Sequence, residues 1–133
     1  MKALKVAVVG VGHLGRVHAR ILSKMQGVRL VGVVDVSAQQ RDAVAEACRT
    51  NAFPDHLAVA DKIDAAVIAT PTKYHHAVAM DLIRRGIHLL VEKPLAVTPE
   101  QGEELVAAAR AAGVVLQVGH VERFNPAVTA AGP

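Results

Sequence analysis

Three glycines near the start of the chain have the spacing with the clearest chemical meaning, Gly10-x-Gly12-x-x-Gly15. An apolar run over residues 5–9 leads into them, which predicts a strand. Apolar side chains then recur at helical spacing, at Leu14, Val17, Ile21 and Met25. A strand, a tight glycine turn and a helix in this order are typical of a dinucleotide-binding unit. The motif therefore predicts a site for a nucleotide pyrophosphate.

Each glycine of this motif has its own physical task. Gly10 lets the chain reverse, Gly12 lets the backbone approach a pyrophosphate, and Gly15 lets the helix pack closely on the strand. The unpaired amides at the helix start, which include those of His13 and Leu14, then face the anion. We therefore predict that these glycines, together with His13 and Leu14, bind the cofactor.

A carboxylate lies where a ribose ligand is expected. The second apolar run, residues 28–34, ends in Asp35, 20 residues beyond the last glycine of the motif. Its carboxylate can accept hydrogen bonds from the adenosine ribose and would repel a 2′-phosphate, so we expect NAD, with NADP less favoured. Arg16 and Arg41 would partly offset that repulsion. The alternative is a helix-start carboxylate that precedes Ser37.

Two charged residues, Glu92 and Lys93, directly follow the apolar run over residues 87–91 and precede Pro94. Charges that abut a buried strand are poorly placed for a core and suit a cleft at the strand end. A lysine ammonium there can hydrogen-bond a substrate oxygen as a carbonyl forms or is reduced, with Glu92 orienting it. We therefore predict Lys93 as the catalytic residue, against the alternative of an ordinary surface ion pair.

Three further residues follow the apolar run that ends near Ala69. Thr70 and Pro71 lie where a cofactor would cross the sheet edge, although they could also simply end a strand. His75 opens a helix that faces the cleft, and we keep it as a cofactor-binding candidate. The other histidines show no metal-ligand spacing, since His13 and His18 are five apart. We predict no metal site.

The elements that must position these residues alternate along the chain. We predict strands over 5–9, 28–34, 52–53, 64–70, 87–91 and 114–118. Helices are predicted after the glycine turn, after the Ser37 cap to about Arg49, briefly from about Asp55, from Tyr74 to Arg85, and from the Thr98 cap to Gly113. This alternation predicts an α/β domain with a doubly wound, mostly parallel sheet of about six strands, a Rossmann-type dinucleotide-binding domain. Since ligands bind outside the carboxyl ends of such strands, the candidate residues should converge there.

Composition restricts the class of protein. The chain has 133 residues, 52% hydrophobic and only 2% aromatic, which suits one domain with buried parallel strands. A net charge of +3 without basic runs, and few aromatic side chains, argue against nucleic-acid binding. No apolar stretch reaches membrane-span length, and the only cysteine, Cys48, excludes an intrachain disulfide. We expect a soluble, cytoplasmic protein.

Five sequence segments together resemble the Gfo/Idh/MocA family of oxidoreductases. They are GVGHLGRVHAR, VVDVS, ATPTKYHHAVA, HLLVEKPLAVT and VGHVERFNP, in the family's order. The resemblance implies a nicotinamide cofactor over the sheet, with Thr70, Pro71 and His75 lining it and both Glu92 and Lys93 near the nicotinamide as cofactor-binding residues. It also implies that Lys93 contacts the reacting substrate oxygen and that the Lys93–Pro94 peptide is cis.

The same resemblance divides the chain into a dinucleotide-binding domain over 1–120 and a crossover segment over 121–133. Within the crossover region, Arg123 is a further cofactor-binding candidate, and its alternative is a frayed end. Family members continue into a sheet-rich substrate domain, which also forms much of the oligomer interface. We therefore expect a homo-oligomer, and we expect the 133-residue chain by itself to be inactive. It is either a piece of a longer oxidoreductase or a short protein that borrows a partner.

The leading hypothesis is an NAD-dependent oxidoreductase domain that moves a hydride between nicotinamide and a secondary alcohol of a sugar, polyol or nucleotide sugar. A catalytically silent dinucleotide-binding module or partner subunit is the alternative from another class. A third alternative is a different two-domain dehydrogenase, such as homoserine dehydrogenase or dihydrodipicolinate reductase. The sequence segment EKP followed by the segment RFNP argues against this alternative.

Overall fold

The computed structural model describes residues 2–119, which form six strands and four α-helices. The strands are β1 (Leu4–Val9), β2 (Val28–Val34), β3 (Asn51–Phe53), β4 (Ala65–Ile68), β5 (His88–Val91) and β6 (Leu116–Val118). The helices are α1 (His13–Lys24), α2 (Ala38–Cys48), α3 (His75–Ile83) and α4 (Pro99–Ala112). Short 3₁₀ turns occupy His56–Ala58, Ala60–Lys62 and Thr72–Tyr74. No helix of this described range is long and apolar enough to cross a bilayer.

The six strands form one parallel sheet in the order β3-β2-β1-β4-β5-β6. The chain starts in the middle of the sheet, builds outward through β2 and β3, and returns to place β4 on the other side of β1. This is the doubly wound order of dinucleotide-binding domains, and its switch point lies between β1 and β4. The predicted fold class is confirmed.

The two faces of the sheet are covered by different helices because alternate residues of each strand point to opposite sides. Val8, Val67 and Leu90 pack with Ala19 of α1 and Val44 of α2. The opposite face carries a second buried cluster, which includes Ala7, Ile68, Leu89, Leu82 of α3 and Leu105 of α4. Burying one such Leu or Ile side chain contributes about 1.5–3 kcal/mol. The core therefore holds the carboxyl ends of the strands at one common edge.

Helix termini follow the predicted capping residues. The Ser37 hydroxyl accepts a hydrogen bond from the Gln40 amide, and the Thr98 hydroxyl accepts one from the Gln101 amide, both at 3.2 Å. Helix α4 is capped at its C-terminal end by Gly113, whose φ of +72° is left-handed and favours glycine. Each side-chain cap contributes on the order of 1 kcal/mol.

The buried face of α1 is not the apolar stripe seen in the sequence. Leu14 and Ile21 of that stripe are 54% and 39% exposed. The buried residues are instead Gly15, His18, Ala19 and Leu22. A Cβ at Gly15 would lie 1.7 Å from the Gly10 carbonyl oxygen, so this helix face packs directly on the end of β1. The inward face of α1 thus combines close backbone packing at Gly15 with burial of the Ala19 and Leu22 side chains.

Candidate dinucleotide-binding site

The predicted site residues are brought together at the carboxyl edge of the sheet by a series of backbone hydrogen bonds. The Gly10 amide donates to the Val34 carbonyl at 2.7 Å, which joins the ends of β1 and β2. On the other side of β1, the Ala69 amide donates to the Val9 carbonyl at 2.8 Å. The Glu92 amide in turn donates to the Ile68 carbonyl at 3.0 Å. Residues far apart in sequence thus share one edge.

The glycine loop is tightly packed at Gly10 and Gly15 and open at Gly12. Gly10 has a φ of +92°, and a Cβ there would lie 2.7 Å from the Thr70 amide nitrogen. Gly12 differs, because a Cβ on it would meet no described atom within 4 Å. The backbone at Gly12 therefore borders open space, whereas Gly10 and Gly15 are held in tight packing.

The start of α1 is not capped in the way that the starts of α2 and α4 are. Gly12 is its N-cap residue, and within residues 2–119 no side chain caps it by a hydrogen bond. Its first turn carries no acidic residue. The first amides of a helix have no intrahelical acceptor and carry partial positive charge. The donors at this terminus, next to the open space at Gly12, fit the pyrophosphate of a dinucleotide.

Asp35 lies at the tip of β2 and faces the same loop. Its Oδ2 accepts a hydrogen bond from the Val11 amide and its Oδ1 accepts one from the Ser37 amide, both at 2.9 Å. The carboxylate therefore joins the glycine loop to the residue that caps α2, and its contact with the adenosine ribose remains a prediction. Each oxygen keeps a second lone pair for a ribose hydroxyl. Arg41 Nη1 donates to the Asp35 carbonyl at 3.1 Å, which places one positive charge nearby.

His75 is buried between two segments of the cleft. Its ring lies with Nε2 2.8 Å from the Thr70 carbonyl oxygen and Nδ1 3.0 Å from the Pro94 carbonyl oxygen. The residue is only 1% exposed, so it supports the cleft from behind, and contact with a cofactor remains a prediction. Thr70 Oγ1 is buried and has no hydrogen-bond partner in the described chain. That hydroxyl fits a ligand group at the edge of the sheet, while Pro71 begins the exposed turn beside it.

The Glu92–Lys93–Pro94 segment follows β5. Its Lys93–Pro94 peptide is cis, which confirms that expectation. Lys93 is exposed, and its ammonium forms no ion pair within residues 2–119. The Glu92 carboxylate contacts His18 of α1, and orientation of Lys93 by Glu92 remains a prediction. His18, a histidine without metal-ligand spacing in the sequence, lies three residues after Gly15 on the buried face of α1.

The remaining predicted residues lie at the margins of the site. His13 and Leu14 are both exposed in the first turn of α1. His13 also borders a groove of about 510 Å³ between α1 and α2. Arg123 and the segment 121–133 lie outside the described residues. In the described part of the chain, no group of three or more His, Cys, Asp or Glu side chains is arranged to hold a metal ion.

The sheet order, the uncapped start of α1 and the carboxylate at the tip of β2 define a Rossmann-type dinucleotide-binding domain. Comparison with known proteins gives the family. Residues 4–120 match the model of the Gfo/Idh/MocA group, described as an oxidoreductase family with an NAD-binding Rossmann fold. The chain belongs to this family and is its NAD-binding domain.

Two relatives illustrate the match. UDP-N-acetylglucosamine 3-dehydrogenase of Acidithiobacillus ferrooxidans is 38% identical over 94% of this chain and 39% of its own length. Inositol 2-dehydrogenase 4 of Saccharopolyspora erythraea is 36% identical over 94% of this chain and 38% of its own length. The chain thus spans about two fifths of the curated relatives that it matches.

Solved structures agree with the assignment. The structure of the A. ferrooxidans enzyme superposes with a TM-score of 0.85 at 37% identity, covering 98% of this chain and 43% of that one. GenD2 from gentamicin A biosynthesis, solved in complex with NAD, superposes with a TM-score of 0.86 at 35% identity, covering 90% of this chain and 35% of that one.

Proposed function

We propose that this domain binds NAD for an oxidoreductase that moves a hydride between the nicotinamide and a secondary alcohol of a sugar, polyol or nucleotide sugar. The observation that carries the proposal is the uncapped start of α1 beside the open backbone at Gly12, with Asp35 next to it. The substrate class is supported by the relatives, which are named for a nucleotide sugar and for inositol.

The residues of the chain divide the binding task. The amides of Gly12, His13 and Leu14 at the start of α1 hold the pyrophosphate, because the first amides of a helix have no intrahelical acceptor. Asp35 accepts hydrogen bonds from the adenosine ribose through the lone pairs that Val11 and Ser37 leave free. Its negative charge disfavours a 2′-phosphate and therefore favours NAD over NADP.

Lys93 has the chemical role. When bound, NAD accepts or returns the hydride. In the reducing direction, the Nζ ammonium of Lys93 hydrogen-bonds the carbonyl oxygen of the substrate and gives it a proton as the hydride arrives. In the oxidising direction, the neutral amine of Lys93 takes the hydroxyl proton as the hydride leaves for NAD. Because Glu92 is engaged by His18, the positive charge of Lys93 is not neutralised by its sequence neighbour.

The edge that carries the site also exposes apolar side chains. Val36 is 93% exposed, and Leu14, Tyr74 and Val97 are also exposed in the segments after β1, β4 and β5. Such side chains favour coverage by a ligand, a further domain or a second copy of the chain. We infer a homo-oligomer on this basis, tested by light scattering.

We also assign the protein to the cytoplasm, because the domain needs a supply of NAD and its single cysteine forms no intrachain disulfide.

Two measurements test the proposal. Calorimetric titration of the 133-residue chain should show NAD binding, and absence of binding would overturn the proposal as a whole. NADH formation is then assayed with a panel of sugars, polyols and nucleotide sugars, in the natural polypeptide that carries this domain. Lys93→Met should abolish NADH formation while changing the Kd for ADP-ribose, which lacks the nicotinamide, by less than about twofold. Turnover by Lys93→Met at the wild-type rate would remove Lys93 from the reaction.

A further inference from the structure

A buried contact joins α1 to the segment that carries Lys93. His18 Nε2 contacts Glu92 Oε1, and the two side chains are only 7% and 14% exposed. The residues are 74 positions apart in sequence. They meet because His18 shares the inward face of α1 with Gly15 and Leu22, while strand alternation turns Glu92 to the same face of the sheet as Leu90.

The chemistry of the contact determines where the proton lies. A carboxylate oxygen only accepts, so His18 Nε2 must carry the hydrogen that it donates to Glu92. His18 Nδ1 is buried and has no partner within residues 2–119. In a neutral ring, Nδ1 is an acceptor without a partner. A protonated ring would instead bury a charge and an unpaired N–H group at Nδ1, which costs more free energy. The geometry therefore favours the Nε2–H tautomer.

Glu92 is consequently held at two points. Its amide donates to the Ile68 carbonyl at 3.0 Å, and its carboxylate is held by His18. Lys93 is the next residue and its side chain is exposed. The position of Lys93 is thus tied to the second turn of α1, the helix whose first turn borders the glycine loop.

We propose that His18 is a positioning residue, which acts through Glu92 to set the place of Lys93 relative to the pyrophosphate end of the site. The proposal rests on the proposed function for the role of Lys93. A buried ionisable pair of this kind adds little net stability, because desolvation of the charge offsets the attraction between the groups. Its consequence is instead a defined geometry between the two ends of the cofactor site.

The same chain contains a matched pair away from the site. His56 Nε2 lies 2.9 Å from Asp81 Oδ2, between the first 3₁₀ turn and α3. This pair has the same chemistry and does not touch the glycine loop or the segment after β5. It provides a control for the general effect of removing a histidine–carboxylate contact.

The first test compares two ligands. NAD carries the nicotinamide that should lie near Lys93, whereas ADP-ribose has the same pyrophosphate and adenosine without it. In His18→Leu, the Kd for NAD should rise about tenfold and that for ADP-ribose by less than about twofold. His18→Gln should restore the wild-type NAD affinity, because its amide donates from nearly the position of Nε2. His56→Gln should change neither affinity.

Equal loss of affinity for NAD and ADP-ribose in a folded His18→Leu variant would overturn the proposal. Failure of His18→Gln to restore NAD binding would also overturn it.

The second test needs no ligand and covers the case in which His18→Leu does not fold. Nitrogen-15 NMR of the wild-type ring should show the Nε2–H form, and Glu92→Gln should shift its resonances. An Nδ1–H ring that does not respond to Glu92→Gln would refute the contact. If wild-type chain binds neither ligand, the proposed function fails, but the ring measurement still tests the contact.

Discussion

Replacing Gly12 by alanine separates the binding role of the glycine loop from its folding role. Gly12 has a negative φ of −69°, and an added Cβ would meet no described atom within 4 Å. The folded chain therefore accommodates the methyl group, and the free energy of unfolding should change by no more than about 1 kcal/mol. The methyl group occupies the space through which a pyrophosphate approaches the helix amides.

The loss of affinity follows from the hydrogen bonds that the methyl group prevents. A hydrogen bond to a charged group contributes about 1.5–3 kcal/mol, so loss of one, with weakening of a second, costs about 2–4 kcal/mol. The Kd for NAD should then rise roughly 30- to 700-fold. Isothermal titration calorimetry measures this change, and urea denaturation of the same preparation measures the free energy of unfolding.

Gly102→Ala is the matched control, since it introduces the same methyl group in α4. Its Cβ would lie 3.6 Å from Leu95 Cδ2, an ordinary contact, so the NAD affinity should stay unchanged. The helix should gain about 0.5–1 kcal/mol from the substitution. A stable Gly12→Ala chain that binds NAD like the wild type would refute the assignment of the pyrophosphate to this loop.

Three further substitutions test other parts of the structure. Asp35→Ala should lower the ratio of the NADP Kd to the NAD Kd at least about tenfold, because the charge that repels a 2′-phosphate is gone. An unchanged ratio in calorimetry would show that Asp35 does not select the nucleotide. His75→Leu should destabilise the fold by about 1–3 kcal/mol in urea denaturation, because it removes the ring N–H that one of the carbonyl oxygens of Thr70 and Pro94 accepts. A loss under about 0.5 kcal/mol would contradict a structural role for this buried ring. Thr98→Ala should cost about 1 kcal/mol through the lost cap of α4 and leave NAD affinity intact, so a binding defect would indicate that this cap also shapes the site.

Much of the fold was predictable because its signals are local. Apolar runs predicted the strands, and capping residues such as Ser37 and Thr98 predicted where α2 and α4 begin. The short helix expected from about Asp55 is a 3₁₀ turn that this residue caps, with the Ala58 amide donating to Asp55 Oδ1 at 2.9 Å. Signals of this kind depend on neighbours within one turn, so the sequence alone expresses them.

The buried face of α1 was not predictable in the same way. The visible apolar stripe includes Leu14 and Ile21, yet both are exposed. Which face turns inward depends on how closely the helix approaches β1, and Gly15 permits that approach by having no side chain. Periodicity identifies a helix, but contact with a second element determines its orientation.

By itself, the sequence determined the class of the site: a glycine turn before a helix, a carboxylate after the next strand, and a lysine after a later one. These features depend on residue type and short spacing, and the order of the elements is enough to predict that strand ends share one edge. Only the tertiary structure decided which partner each charged group takes. Glu92 has Lys93 beside it in sequence, but strand alternation and the sheet order turn its carboxylate toward His18, 74 residues away. Chain neighbours share a backbone, whereas the partner of a buried charge is determined by the face on which packing places it.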